Sequence, residues 1–364
     1  MNKWLADWTK NIYPDSRRDL CTCFIERGQN LAVNHGYEAL ITSDTCMYIS
    51  SFEQLRKNIL SRSTIVGFID TRGTNAHPDV FDANAGWVLY NAFVEGVKGT
   101  YLKLNQAIAA KETGYLEALA DPECGWFYRC PASTFFRIPG GVIGYWLSSK
   151  TLSAYDKGKP LSSLAAPRKG NSTSNNGKFL RLWYEIPRSH LKIGAMSLVV
   201  KDTLVTRWYP YNKGGDFRRW YGNNEYVIDW YNNGSEIRSI PTSVVTNEQY
   251  YMKPGLTWST VSSAKFNIRS FGHGFIFDNG GCCIFDLGDK SNYILGLLNS
   301  TIFAEICGSI NPTLNFQSGD VSKFPVLFGR ESDVNQLVDE NIRFAIEDWD
   351  SYESSWDFKR HPLL

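Results

Sequence analysis

Proline never follows proline in these 364 residues. That gap removes the short Asn-Pro-Pro-aromatic or Asp-Pro-Pro-aromatic loop on which chemistry at the amino group of a base depends. A Gly-rich turn joining a first strand to a helix is missing too, and with it the usual cradle for a nucleotide-like cofactor; Gly272-His273-Gly274 comes nearest, without the strand-to-helix setting. Neither Cys-x-x-Cys nor His-x-x-x-His occurs, so Cys21-Thr22-Cys23 with His35 nearby is the sole cluster to weigh as a metal site, and it lacks a second pair of ligands. Walker loop, nucleophile elbow and Glu-x-Lys nuclease core are absent as well. No apolar run approaches the roughly 18 residues that span a bilayer, and MNKWLADWTK has no signal-peptide core, so a cytoplasmic chain without membrane contact is expected. Eight scattered cysteines suit that reducing compartment and read as buried core thiols.

What the chain does have is segregated charge. Twenty Lys and Arg but eight Asp and Glu lie between Arg129 and Arg269, a net of +12 in a protein whose formal total is +1. Residues 1–128 come to −3 and residues 271–364 to −8. A basic middle interleaved with Trp, Tyr, Asn and Gly suits a surface that neutralises phosphates and stacks on bases, so double-stranded DNA is the expected partner. The bland alternative is a solvated basic face. With 43% hydrophobic residues the chain can bury one large or two ordinary cores, and two is the better expectation.

Residues 17–34 carry apolar positions at near-helical intervals, Asn34-His35-Gly36 breaks the pattern, and residues 37–41 form a short apolar run. Helix, turn and buried strand recur as 51–60 and 64–69, a further strand is expected at 87–93, and a helix over 102–119 leads away. This predicts one part of a layered α/β domain. From Trp126 the texture changes to short β-rich runs, among them 197–200, 204–209 and 225–230, separated by Gly, Asn and Pro, as in an antiparallel α+β domain. The expected divisions are 1–125, 126–328 and a helical, acidic and aromatic segment 329–364 that reads as a docking element.

Three stretches carry candidate chemistry. In WYPYNKGGDFRRWYGNNEYVIDW, Lys213 stands beside two glycines that permit close backbone approach, and Arg218-Arg219 sits among aromatics, which suits a phosphate clamp; a hairpin turn with ordinary core aromatics is the competing reading. The loop 166–178 offers Arg168, Lys169 and Lys178. Thr257-Trp258-Ser259, followed by Ser262, Ser263, Lys265 and Arg269, combines hydroxyls with cations, and Asn315 and Gln317 flank Phe316 as amides able to read adenine, with a turn followed by a strand as the equal alternative. Arg168, Lys169, Lys178, Lys213, Arg218, Arg219 and Arg269 are thus expected to hold phosphates, and Asn212, Ser259, Asn315 and Gln317 to face base edges.

The order of these segments resembles the adenine-specific DNA methyltransferases of BREX phage-defence systems, the PglX family. The likeness rests on YPDS with Asp19-Leu20 and FIER, on Ile41-Thr42 through SSFEQLR, and on WYPYNKGGDFRRWYGN, TWSTVSS, LLNSTIF, NPTLNFQSGD and DWDSYESSWDF. It implies part of a Rossmann-like methyltransferase sheet followed by an α+β, β-rich target-recognition domain. In the intact family a flipped adenine receives a methyl group from S-adenosylmethionine. The cofactor strands and Asn-Pro-Pro-Tyr loop are not encoded here, so no cofactor and no methylation by this fragment alone are expected. A base-stacking role falls loosely on Phe81, which equally suits core. Apolar faces of 37–41 and 64–69 would need cover from elsewhere, so self-association is expected. Other BREX proteins, or the missing methyltransferase half, are the further partners implied. A protein-interaction module with incidental DNA binding, and a carbohydrate-binding β domain, are the rival readings.

Overall fold

The computed structural model describes residues 1–71, 84–106, 111–198, 207–261, 266–310 and 315–364. It divides into two compact units, Met1–Asp156 and Lys157–Leu364.

The first unit opens with α1 (Lys3–Ile12), capped by the Asn2 side chain, and α2 (Leu20–Leu31), capped by Asp19, whose carboxylate accepts the Cys21 N–H. Its sheet uses β1 (Tyr37–Thr42), β2 (Thr64–Asp70), β3 (Ala85–Tyr90), β4 (Lys98–Lys103) and β5 (Phe127–Pro131) in the order β1-β3-β2-β4-β5. β3 lies antiparallel between β1 and β2, β2 and β4 run parallel, and β5 returns antiparallel to β4. One face carries Phe68, Trp87, Leu89 and Tyr101 against Ile25 of α2 and Leu55 and Ile59 of α3 (Glu53–Arg62). Phe135, Ile143 and Tyr145 complete this core. For that reason the unit continues beyond the expected boundary at 125: β5 belongs to the sheet, and the residues after it seal the core.

Two buried ionisable groups mark this unit. Arg56 donates to the carbonyls of Gly140, Cys46 and Ile49 at 2.8–2.9 Å, tying two loops together, and burial lowers its pKa to about 10. Glu38 on β1 lies under α2 beside Gly28: a Cβ there would stand 1.9 Å from Glu38 Oε1 and would have to push the carboxylate aside. The opposite sheet face is open. Ile41 is 76% exposed and Val88 and Val66 are partly bare; Ile41 and Val88, with Ile69 and with Tyr115 and Leu119 of α4 (Lys111–Ala120), line a concavity of about 490 Å³. The expected helix over 102–119 is corrected here, because Leu102 and Lys103 belong to β4 and the described helix is Lys111–Ala120.

The second unit follows α5 (Ser149–Lys157) and holds β6 (Lys159–Pro160), β7 (Ala166–Arg168), α6 (Asn176–Phe179), β8 (Leu180–Leu182), β9 (Trp208–Asn212), β10 (Tyr226–Asp229) and α7 (Tyr231–Arg238). Then come β11 (Gly255–Ser259), β12 (Ile268–Phe271), β13 (Ile276–Phe277), β14 (Gly281–Phe285), α8 (Ser291–Asn299), α9 (Thr301–Ile310), α10 (Ser318–Ser322), β15 (Pro325–Val326) and α11 (Glu331–Trp349). Two four-stranded sheets result, β13-β9-β10-β8 and β12-β11-β14-β7, with a small β15-β6 pair. Their shared core is aromatic: Tyr209, Tyr211, Trp230, Phe271, Phe277 and Phe285.

The acidic, aromatic tail is not a free docking element, as the sequence suggested; it packs on its own unit. A Cβ on Gly296 of α8 would stand 2.7 Å from Val338 of α11, so the glycine lets the helices meet. Trp349 and Ser355 are buried, Trp356 packs against the aromatic core, and Trp183 Nε1 donates to the Ser354 carbonyl at 2.8 Å. All eight cysteines are free, and burial raises Cys46, Cys130, Cys282 and Cys307 to about 12; the expectation of eight buried core thiols holds for Cys23, Cys46, Cys282, Cys283 and Cys307, while Cys124 and Cys130 are half-buried and Cys21 is exposed. Among the described residues no cluster suits a metal ion, and no helix is long and apolar enough to cross a membrane.

Candidate nucleic-acid interface

Four segments far apart in sequence converge on one tight turn, Asp278–Gly281. Asp278 is 1% exposed, and its carboxylate accepts from Lys213 Nζ (2.8 Å), the Tyr211 hydroxyl (2.8 Å) and the Gly280 N–H (2.7 Å). Backbone bonds then gather the surroundings: Asp278 N donates to Asn212 O, Asn279 N to Asn171 O, Thr260 N to Gly280 O and Phe316 N to Thr260 O. Lys169, the Lys213–Arg219 loop, Ser259–Val261 and Asn315–Gln317 thereby stand at one end of the paired sheets.

Glycine makes the convergence possible. A Cβ on Gly170 would lie 2.2 Å from Phe277 O, and one on Gly281 would lie 2.3 Å from Asn212 O. Both contacts are with backbone, which cannot swing aside. Gly281→Ala is therefore expected to cost about 1–3 kcal/mol in urea unfolding; an unchanged midpoint would contradict this packing.

The Lys213–Arg219 loop is held in an unusual conformation. Gly214 and Gly215 have φ of 94° and 125°, and Trp220, which has a Cβ to accommodate, sits at φ 71°. Strain of this kind persists only where the surroundings impose it. Here Trp220 N donates to Ile268 O, Ser270 N donates to Trp220 O, and Ser259 Oγ donates to Gly215 O. Arg269 Nη1 donates to the Arg218 carbonyl and to Asn267 Oδ1.

These contacts correct several sequence expectations. Arg269, Asn212 and Ser259 are buried and cannot meet a duplex at the surface; they hold the loop from beneath. Arg269 is 1% exposed with a guanidinium lowered to about 10 by burial, and its Nε has no partner. Arg218 pairs with Asp348 at 2.7 Å and lies over the Trp349 ring, Lys178 pairs with Glu236, and Arg168 bonds and stacks on Tyr250. Asn315 and Gln317 bond to each other, while Gln317 also caps α10. Among the described residues, Arg168, Lys169, Arg219 and Arg269 are the expected phosphate contacts with no carboxylate partner; Arg168 is engaged with Tyr250 and Arg269 is buried, which leaves Lys169 and Arg219. Phe81, Ser262, Ser263 and Lys265 lie outside the described residues.

Folding thus redistributes the charge. Acids of the flanking sequence, Asp278 and Asp348, reach across 65 and 130 residues to neutralise cations of the basic middle. The sequence also passed over Phe217, 48% exposed at the loop tip with the Arg219 guanidinium over its ring at 5.4 Å. Its exposure amid buried aromatics was the missing signal.

The Eco57I restriction-modification methylase family profile matches residues 1–77. Along its whole length the chain is related to the PglX-type adenine-specific methyltransferases. It is 33% identical over 377 aligned positions to the adenine-specific methyltransferase PglX of Lacticaseibacillus casei (strain Zhang), covering 100% of this chain and 31% of that protein. It is 30% identical over 371 positions to the adenine-specific methyltransferase BrxX of Escherichia coli O9:H4 (strain HS), covering 100% of this chain and 29% of that one. The chain therefore spans under a third of the length of these relatives. In fold it is similar to the solved Type IIL restriction-modification enzyme MmeI in complex with DNA, with a TM-score of 0.57 at 13% identity over 98% of this chain and 49% of that one.

Proposed function

We propose that this chain is the DNA-recognising part of a PglX-like adenine methyltransferase of a BREX defence system, with the end of the second unit as its duplex-binding surface. The observation that carries this reading is the convergence on the Asp278 turn of Lys169 and Arg219, which have no carboxylate partner among the described residues, with the mutually bonded amides Asn315 and Gln317 beside them. Cations set the protein on phosphates and amides face base edges. The five-stranded sheet of the first unit then represents the later part of a Rossmann-like methyltransferase sheet.

S-adenosylmethionine does not fit the described residues. Gly272-His273-Gly274 joins β12 to β13 and not a strand to a helix, and the turn after β1 is a 3₁₀ segment, Asp44–Met47, without glycine. Methyl transfer by these 364 residues alone is accordingly not expected, and no step through the cofactor is derived.

The test is fluorescence anisotropy of a labelled random-sequence duplex across several salt concentrations. Affinity should fall linearly on a log–log plot. Removing two phosphate contacts with Lys169→Ala and Arg219→Ala should reduce the slope by about 2, at about 0.9 per contact. Failure to bind at low salt, or a slope unchanged in the double variant, would refute this surface. Methylation by the isolated chain would refute its role as a recognition part alone.

A further inference from the structure

The loop tip does not have the chemistry of a phosphate clamp. Gly215, Asp216 and Phe217 are exposed, and Asp216 sets a carboxylate on this tip, where it would repel a phosphate. The cations stand to either side, Lys213 before the tip and Arg219 after it. A single exposed aromatic is ordinary on a protein surface. This one crowns a base that is already ordered: Asp216 O accepts Asn223 Nδ2 at 2.9 Å, Arg218 is paired with Asp348, and a Cβ on Gly222 would strike Arg218 Cδ at 2.5 Å and Trp349 at 2.9 Å. Such a tip loses little entropy on binding, because the folded chain has already fixed its backbone. The ring has the Arg219 guanidinium over one face and is about half exposed in all.

We propose that Phe217 is a wedge that inserts against the bases of a duplex, partly unstacking one base step, while Arg219 holds the neighbouring phosphate. The proposal rests on the DNA-binding reading above. An aromatic wedge gains by contact with the π-faces of bases, which every sequence offers, and Asp216 beside it meets the exocyclic amines of a groove rather than the backbone. Steps that unstack readily, such as TA, should therefore accept the ring best. This divides labour within three residues: apolar contact from Phe217, charge from Arg219.

The two contributions separate experimentally in the 364-residue chain. Anisotropy on duplexes with a central TA step would compare the parent protein with Phe217→Ala, Phe217→Trp and Arg219→Met, each first checked by its thermal melt. Phe217→Ala should weaken binding by about tenfold to a hundredfold, the range for loss of a base–aromatic stack, with the salt slope unchanged. Phe217→Trp should keep most of the affinity. Arg219→Met should instead flatten the slope by about 1. Energy transfer between dyes at the duplex ends should report a bend with the parent protein that Phe217→Ala loses. Equal affinity and equal bending for Phe217→Ala would overturn the wedge while leaving the DNA-binding reading intact. A loss accompanied by a flatter slope would overturn it too, since the ring would then only steady Arg219. No binding by the parent protein at low salt would remove the reading on which the wedge rests.

Discussion

Lys213→Met should lower the stability of the second unit by about 3 kcal/mol, the lower end of the range for breaking a buried pair by removing one partner. Asp278 is the reason. Its carboxylate is almost wholly shielded, and Lys213 is the cation that compensates it, 2.8 Å away with a side chain still 26% accessible. Without the ammonium, Asp278 keeps the Tyr211 hydroxyl and the Gly280 N–H, which satisfy its oxygens but not its charge. Adding Asp278→Asn should therefore recover more than half of the loss, because a neutral amide can still accept the Gly280 N–H. Urea unfolding of the two single variants and the double variant measures this coupling. A loss under about 1 kcal/mol for Lys213→Met would mean that the pair is as weak as a surface ion pair and that the turn is held by its backbone bonds alone.

Glu38→Gln should act in the opposite direction and stabilise the first unit, by about 2–3 kcal/mol at pH 8. The Glu38 side chain is 7% exposed, neither carboxylate oxygen has a hydrogen-bond partner, and burial raises its pKa to about 7 from an ordinary value of 4.5. A carboxyl with a raised pKa binds its proton more tightly in the folded chain than in the unfolded one. Its penalty is absent at pH below about 4.5, grows as pH rises from there, and is complete above about 7. The glutamine keeps the shape and never ionises. The gap between the two melting temperatures should thus widen steadily from pH 5 to pH 8. Parallel curves would show that water or a local shift already solvates the carboxylate.

Much of the first unit was readable before its structure. Asp19 and the apolar spacing after it announce α2, and the runs at Tyr37 and Thr64 become β1 and β2. α1 was missed, and β4 was taken as the start of a helix. Tyr101 enters the main core while Leu102 packs with Leu104 and Ala118 on the other side, an alternation too short to separate a period of 2 from one of 3.6. In the second unit the right segments were named but their depth was not visible. Nothing local distinguishes Arg269, 1% exposed, from the half-buried Arg219, and no window of sequence reveals that Lys213 is spoken for by an aspartate 65 positions later. Likewise the tail reads as an unattached acidic strip until Trp349 and Trp356 are seen to be inside the fold.

The seat of that tail has a further consequence. A free polycation gathers small anions from solution and sheds them when a stronger polyanion arrives, a gain in entropy that makes its adhesion strong and indiscriminate. Here Asp348 sits against Arg218 as an anion fastened to the chain itself. It cannot diffuse away when a duplex approaches, so that part of the entropic reward is withheld. The protein carries a covalent share of its own ionic atmosphere, which, on the DNA-binding reading proposed above, damps adhesion to any passing nucleic acid and leaves discrimination to the few groups that remain bare.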